Sequence, residues 1–200
     1  TLSYFPDPVS STMGMPMSSK PQPHPHSESN DPTIEECGLD WLEVLAIEVI
    51  RWICDSYSCP SRSGWETAIA RSEAVLGTDD GPRFFAAVAA LMVALRRGRR
   101  SGFFYASPHC AICCGRLLPH EHDLLLVLRA GRRADSYGID AHALLLLEGQ
   151  DTTAIRSAAL RLGAVITDID GRMEAFNRDW HWPEPRPLPP GTGLEHRTRA

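Results

Sequence analysis

The sequence predicts an all-α fold. Three observations carry that expectation. Apolar residues recur at helical spacing in each long stretch between residues 33 and 180. Helix start and stop signals bracket those stretches. No segment alternates apolar and polar residues as a half-buried strand does. The expected architecture is a single helical bundle of about six helices with a long C-terminal helix, flanked by disordered tails. The division is a Pro/Ser-rich tail over 1–31, a helical domain over 32–180 and a Pro-rich tail over 181–200. Residues 1–32 hold seven of the 16 prolines, too little apolar material to offset the entropy of ordering.

Thr33 with Glu36 fits a capping box, and Asp31-Pro32 reinforces a helix start there. The helix that follows reads "ECGLDWLEVLAIEVIRWICDSY". Its polar stripe is only Asp40, Glu43, Glu48 and Arg51, which marks a central helix. Ser63 and Glu66 form a second box that opens "GWETAIARSEAVLG", with Gly77 as its stop. Asp80 and Pro82 open a third helix, "PRFFAAVAALMVALRR", closed near Gly98. Pro119 starts a fourth through "HEHDLLLVLRAG", a fifth covers Ile139 to Glu148, and a sixth starts at Asp151.

In that last segment Ile155, Ala159, Leu162, Ile166, Ile169, Met173, Phe176 and Trp180 are spaced alternately by four and three residues. A 3.5-residue repeat of this length fits one helix of ~39 Å. It reads either as a homodimer seam through the 155–180 helix or as a terminal helix laid across the bundle.

Twenty basic residues face 25 acidic ones, a net charge of −5, with no global pull toward nucleic acid. The longest apolar run, Phe84 to Leu95, falls short of the ~20 residues of a membrane span. No secretory signal pattern is visible, so a cytoplasmic location and no membrane partner are expected. There the six cysteines are free thiols or metal ligands. No P-loop, GxGxxG, GxSxG or HExxH occurs, so binding is expected rather than catalysis.

The chemistry concentrates in "SPHCAICCGRLLPHEHD", residues 107–123, which holds three of the six cysteines and three of the eight histidines. Cys110-x-x-Cys113 is the two-thiolate half of many zinc sites, because one tight turn aims both sulfurs at a single ion at ~2.3 Å. Gly115 supplies backbone freedom beyond it. His120 locally, or Cys59 at the end of the first helix, are the expected completing ligands, with Cys114, His109, His122 and Cys54 as further candidates and Cys114 as the spare thiol. Three readings remain open: structural zinc, a redox dithiol or iron–sulfur cluster, and plain packing of small thiols. His142 reads as a core histidine. Arg96, Arg97, Arg99 and Arg100, followed by Phe103, Phe104 and Tyr105, pair basic charge with aromatics, as a surface for phosphate and bases would. The same arginines also suit a helix C-terminus. The sequence therefore points to a small cytoplasmic, zinc-braced helical regulatory protein that contacts a protein or nucleic-acid partner, with a cysteine-based redox or iron–sulfur sensor as the alternative.

Overall fold

A computed structural model describes residues 31–59 and 63–179, and the backbone alone of 176–179. The two expected tails lie almost wholly outside the described residues, as does Trp180. Among the described residues there are five α-helices and no strand: α1 (Trp41–Ser58), α2 (Gly64–Gly98), α3 (Pro119–Arg132), α4 (Ser136–Leu146) and α5 (Thr153–Asp179).

The Thr33–Glu36 box forms, with Thr33 N–H donating to Glu36 Oε2 at 2.8 Å and Glu36 N–H to Thr33 Oγ1 at 3.1 Å. It opens a turn rather than a helix. The chain leaves that turn at Gly38, whose φ of +57° no apolar side chain would favour. A second box, Asp40 with Glu43, then starts α1. The first helix thus begins eight residues after Thr33, at Trp41.

The expected second and third helices form one span, α2. Its backbone departs from helical geometry at Gly77 (φ +79°, ψ 176°), where the sequence places a stop. The boundary between the expected second and third helices survives as a kink, which corrects the count from six to five. Ser63 makes no side-chain cap, so the second expected box is absent. Pro119 opens α3 as expected, with Glu121 accepting the Leu118 N–H at 2.9 Å. Asp135 caps α4 through Gly138 N–H at 2.9 Å, and the chain turns out of α4 through Glu148 and Gly149, both at positive φ.

Helix α1 packs chiefly on α2, α3 on α4 and α5, and α5 also on α2. Their buried faces join in one apolar cluster that includes Ile50, Phe84, Leu91, Leu125, Ile139 and Leu162. The heptad positions Ile155, Ala159, Leu162, Ile166 and Ile169 are all buried within this single chain. They serve intramolecular packing, and Met173 further along is exposed. The expected homodimer seam is therefore spent inside the chain over most of its length. No described helix is long and apolar enough to cross a membrane.

Candidate functional site

The cysteine loop runs from Ala106 to Leu118, between α2 and α3, and a buried ion pair holds both its ends. Arg51, on α1, donates from Nε to Glu121 Oε1 at 2.6 Å and from Nη2 to Glu121 Oε2 at 2.9 Å. Both side chains are almost completely buried, which demands that each charge be paired and each polar atom bonded. The remaining capacity goes to the loop backbone. Arg51 Nη1 donates to the Cys114 carbonyl at 2.6 Å and Nη2 to the Arg116 carbonyl at 2.5 Å. Glu121 accepts the Ala106 N–H at 3.1 Å and the Leu118 N–H at 2.9 Å. Among the described residues, no buried side-chain nitrogen or oxygen lacks a partner.

A second set of contacts ties on the segment that precedes α1. Thr33 and Arg116 form an isolated antiparallel bridge. Ile34 N–H donates to the Gly115 carbonyl at 3.0 Å, and Leu117 N–H to the Pro32 carbonyl at 2.9 Å. Arg116 Nη1 donates to the Asp31 carbonyl at 2.9 Å.

On this base the thiols sit in two consecutive turns. Cys110 N–H bonds to Ser107 O, Cys114 N–H to Cys110 O, and Cys113–Gly115 forms one turn of 3₁₀-helix. The Cys113 N–H points at Cys110 Sγ, 3.3 Å away. Hydrogen bonds from the Cys113 thiol and N–H, and from the Ile112 N–H, hold the Cys110 thiol below its ordinary range. The shared hydrogen bond raises Cys113 in turn. Cys114 is tied to its own turn instead, its thiol donating to Ala111 O at 3.3 Å. Cys110 and Cys113 are thus linked to each other, and Cys114 is bonded within its own turn.

The expected completing ligands are otherwise employed. His120 Nδ1 accepts the Phe104 N–H at 2.9 Å, and Nε2 lies 3.1 Å from Arg99 Nη2. Its ring packs against Phe103 and Phe104. Burial, and then the Arg99 charge, push its pKa down. Cys59 is the C-cap of α1, with its N–H on the Asp55 carbonyl. Cys54 is fully buried, and burial drives its thiol far up, which makes it a core residue. His109 Nε2 lies 3.1 Å from Asp55 Oδ2, with its ring edge-on to Trp52. Among the described residues no three His, Cys, Asp or Glu side chains are grouped to hold a metal ion. The expected set of Cys110, Cys113, His120 and Cys59 is thus not brought together among the described residues, and the Cys110–Cys113 pair remains of it.

The arginine run is divided rather than displayed as one patch. Arg99 is nearly buried and donates to the Gly102 and Leu146 carbonyls and to Ser101 Oγ, beside Glu148. Arg96 lies over the Tyr57 ring at 4.4 Å, and Arg100 donates to Gln150 Oε1. Of the aromatics, Phe103 is buried, Tyr105 donates to Ser58 Oγ, and Phe104 is exposed. Arg96, Arg97 and Arg100 are the exposed members of the run.

Sequence reasoning missed the Arg51–Glu121 clamp and the docking of 31–34 on 115–117. A signal for the first was present. An arginine in an apolar central helix needs a buried carboxylate, and Glu121 occupies the third position of a helix, where a carboxylate also serves the cap. Comparison of the chain with protein-family models, curated proteins and solved structures finds no match.

Proposed function

We propose that the chain is a small helical regulatory protein that acts by binding, with Cys110 and Cys113 as two thiolate ligands of a zinc ion at its 106–118 loop. The observation that carries the reading is the turn itself: the Cys113 N–H is aimed at Cys110 Sγ at 3.3 Å. That donor stabilises a thiolate, and the spacing brings the second sulfur beside the first. A zinc ion would draw both sulfurs in to ~2.3 Å. The Arg51–Glu121 clamp supports the reading, because a pre-held loop loses little entropy on capture. Exposed Arg96, Arg97 and Arg100, with Phe104, supply the contact face for a protein or nucleic-acid partner. Elemental analysis tests the reading. Protein purified without added metal should carry zinc in the wild type and lose it in Cys110→Ser and in Cys113→Ser alike. A metal-free wild type that takes up no added zinc would refute it.

One observation favours a second reading, a redox dithiol. The Cys113 thiol donates to Cys110 Sγ, so attacking and resolving sulfurs are already paired. With a small-molecule disulfide as oxidant, the Cys110 thiolate attacks one sulfur and releases one thiolate. Cys113, deprotonated, then attacks the Cys110 sulfur, forms the intramolecular disulfide and releases the second thiolate. Two electrons pass to the oxidant, and the two protein protons end on the released thiols. Thiol counting in a glutathione redox buffer separates the readings, since zinc-bound thiolates resist oxidation until a chelator is added.

A further inference from the structure

Helix α4 is apolar on two faces, and the bundle uses one of them. Ile139, Ala143 and Leu146 are buried where α4 packs against α3 and α5. Tyr137, Ala141, Leu144 and Leu145 fall on the opposite side of the helix at ~100° per residue. Tyr137 is 90% exposed, Leu145 65% and Leu144 46%, and Ala141 is exposed with them. The acid of this helix, Asp140, is engaged elsewhere, accepting from Thr152 Oγ1 at 2.7 Å and from Arg156 Nη1 at 2.8 Å. The outer stripe therefore carries no charge. A solvated helix face is ordinarily polar, and a contiguous exposed apolar stripe marks a contact surface.

What covers the stripe follows from its symmetry about Ala141. Tyr137 stands four residues before Ala141 and Leu145 four after it. Arg133 stands eight before and Glu148 seven after, and both are exposed. Two copies of α4 crossing antiparallel at Ala141 about a two-fold axis would set each Tyr137 against the Leu145 of the other copy. The same crossing brings each Arg133 to the Glu148 of the other copy, so one sequence supplies both members of the charge pair. Glu148 already meets Arg99 and Ser101 within its own chain, and a carboxylate has lone pairs for a further donor. Ala141 at the crossing point lets the helix axes approach, and antiparallel packing sets each helix's positive end beside a negative one. Self-complementarity of this kind is what an isologous interface requires. We infer that the outer face of α4 is a homodimer interface, with Tyr137, Leu144 and Leu145 as its apolar centre and Arg133 and Glu148 at its rim. The inference is independent of the metal reading. A two-fold assembly also doubles the cysteine loop and the Arg96–Arg100 face, so a partner with two matching sites gains avidity.

The test is sedimentation equilibrium of the full, metal-free chain. Four side chains per copy make a small contact beside the ~800 Å² per partner of a standard interface. A reversible dimer should therefore fill between roughly 10 µM and 1 mM. Leu145→Asp should abolish it, since the new carboxylate would be buried unpaired in the dimer. The same variant should melt with wild type at low concentration, because Leu145 is 65% exposed in the single chain. Arg133→Glu should weaken the dimer by roughly ten-fold, as two symmetry-related rim pairs turn repulsive. Met173→Asp, at the exposed end of α5, should leave it unchanged. A wild type that stays monomeric throughout would overturn the inference, and a soluble paramagnetic probe would then show whether Leu145 is bare or covered by another part of its own chain. A dimer that Leu145→Asp leaves intact and Met173→Asp splits would overturn it in favour of α5.

Discussion

Arg51 and Glu121 form a two-pronged buried ion pair between α1 and α3, at 2.6 and 2.9 Å, and its spare hydrogen-bonding capacity closes the backbone of the cysteine loop. The pair is therefore a joint between the bundle and the cysteine loop. Removing one partner strands a charge and several backbone groups. Glu121→Ala should cost about 3–5 kcal/mol in denaturant melts. Glu121→Gln keeps the volume but turns one acceptor into a donor facing Ala106 or Leu118 N–H, so it too should destabilise and should speed amide exchange at those residues. A neutral Glu121→Ala would mean that the clamp adds nothing.

Arg99 differs from its neighbours in what it touches. It fastens the end of α2 to the end of α4 through the Leu146 carbonyl and Glu148. Arg99→Ala should cost about 1.5–3 kcal/mol, the range for hydrogen bonds from charged groups. Arg97→Ala and Arg100→Ala, at exposed positions, should stay within about 0.5 kcal/mol. Equal losses at all three would contradict this division.

Gly163 on α5 and Gly131 on α3 lie at a close approach of the two helices. A Cβ on Gly163 would run into the Gly131 carbonyl and stand 2.6 Å from the Arg132 nitrogen. Gly163→Ala improves helix propensity by up to about 1 kcal/mol. Overpacking costs about 1–3 kcal/mol and should win here, because backbone cannot step aside. The melting temperature should fall by several degrees; a rise would mean that the two helices part easily.

His120 makes stability depend on pH. Its folded pKa is held below its unfolded value of about 6.5. As pH falls through that unfolded value, the unfolded chain takes up a proton that the folded one resists, and stability drops. Between pH 7 and pH 5 the wild type should lose more stability than His120→Gln, whose side chain can still accept the Phe104 N–H but does not titrate. Parallel profiles would show that the ring titrates as freely in the bundle as in water.

The helices and the special turn were legible in the sequence where a signal has one physical meaning. Pro119 cannot continue a helix from upstream, and it starts α3; Gly77 breaks helical geometry where a stop was expected. Signals with two meanings misled. The Thr33–Glu36 box and the Asp40–Glu43 box have the same pattern, and only Gly38 between them, at φ +57°, decides which one a helix follows. The spacing of Ile155, Ala159, Leu162, Ile166 and Ile169 is that of a coiled-coil seam and equally that of a helix buried in its own bundle. His120 has a ligand's residue type and position, yet its two nitrogens meet the Phe104 N–H and Arg99, partners from another segment that spacing cannot show. The Cys110–Cys113 turn was legible because its geometry is local, and its anchors at Arg51 and Asp31 were not, because they are 63 and 85 residues away in the chain.

The most direct measurement is a cobalt titration of the reduced, metal-free wild type followed by absorbance. Cobalt takes the place of zinc and reports thiolate ligation through a sulfur-to-metal charge-transfer band. The account predicts a band that saturates at one equivalent, is displaced by zinc, is lost in both Cys110→Ser and Cys113→Ser, and persists in Cys114→Ser. A wild type that develops no such band, or one that Cys110→Ser retains in full, would contradict it.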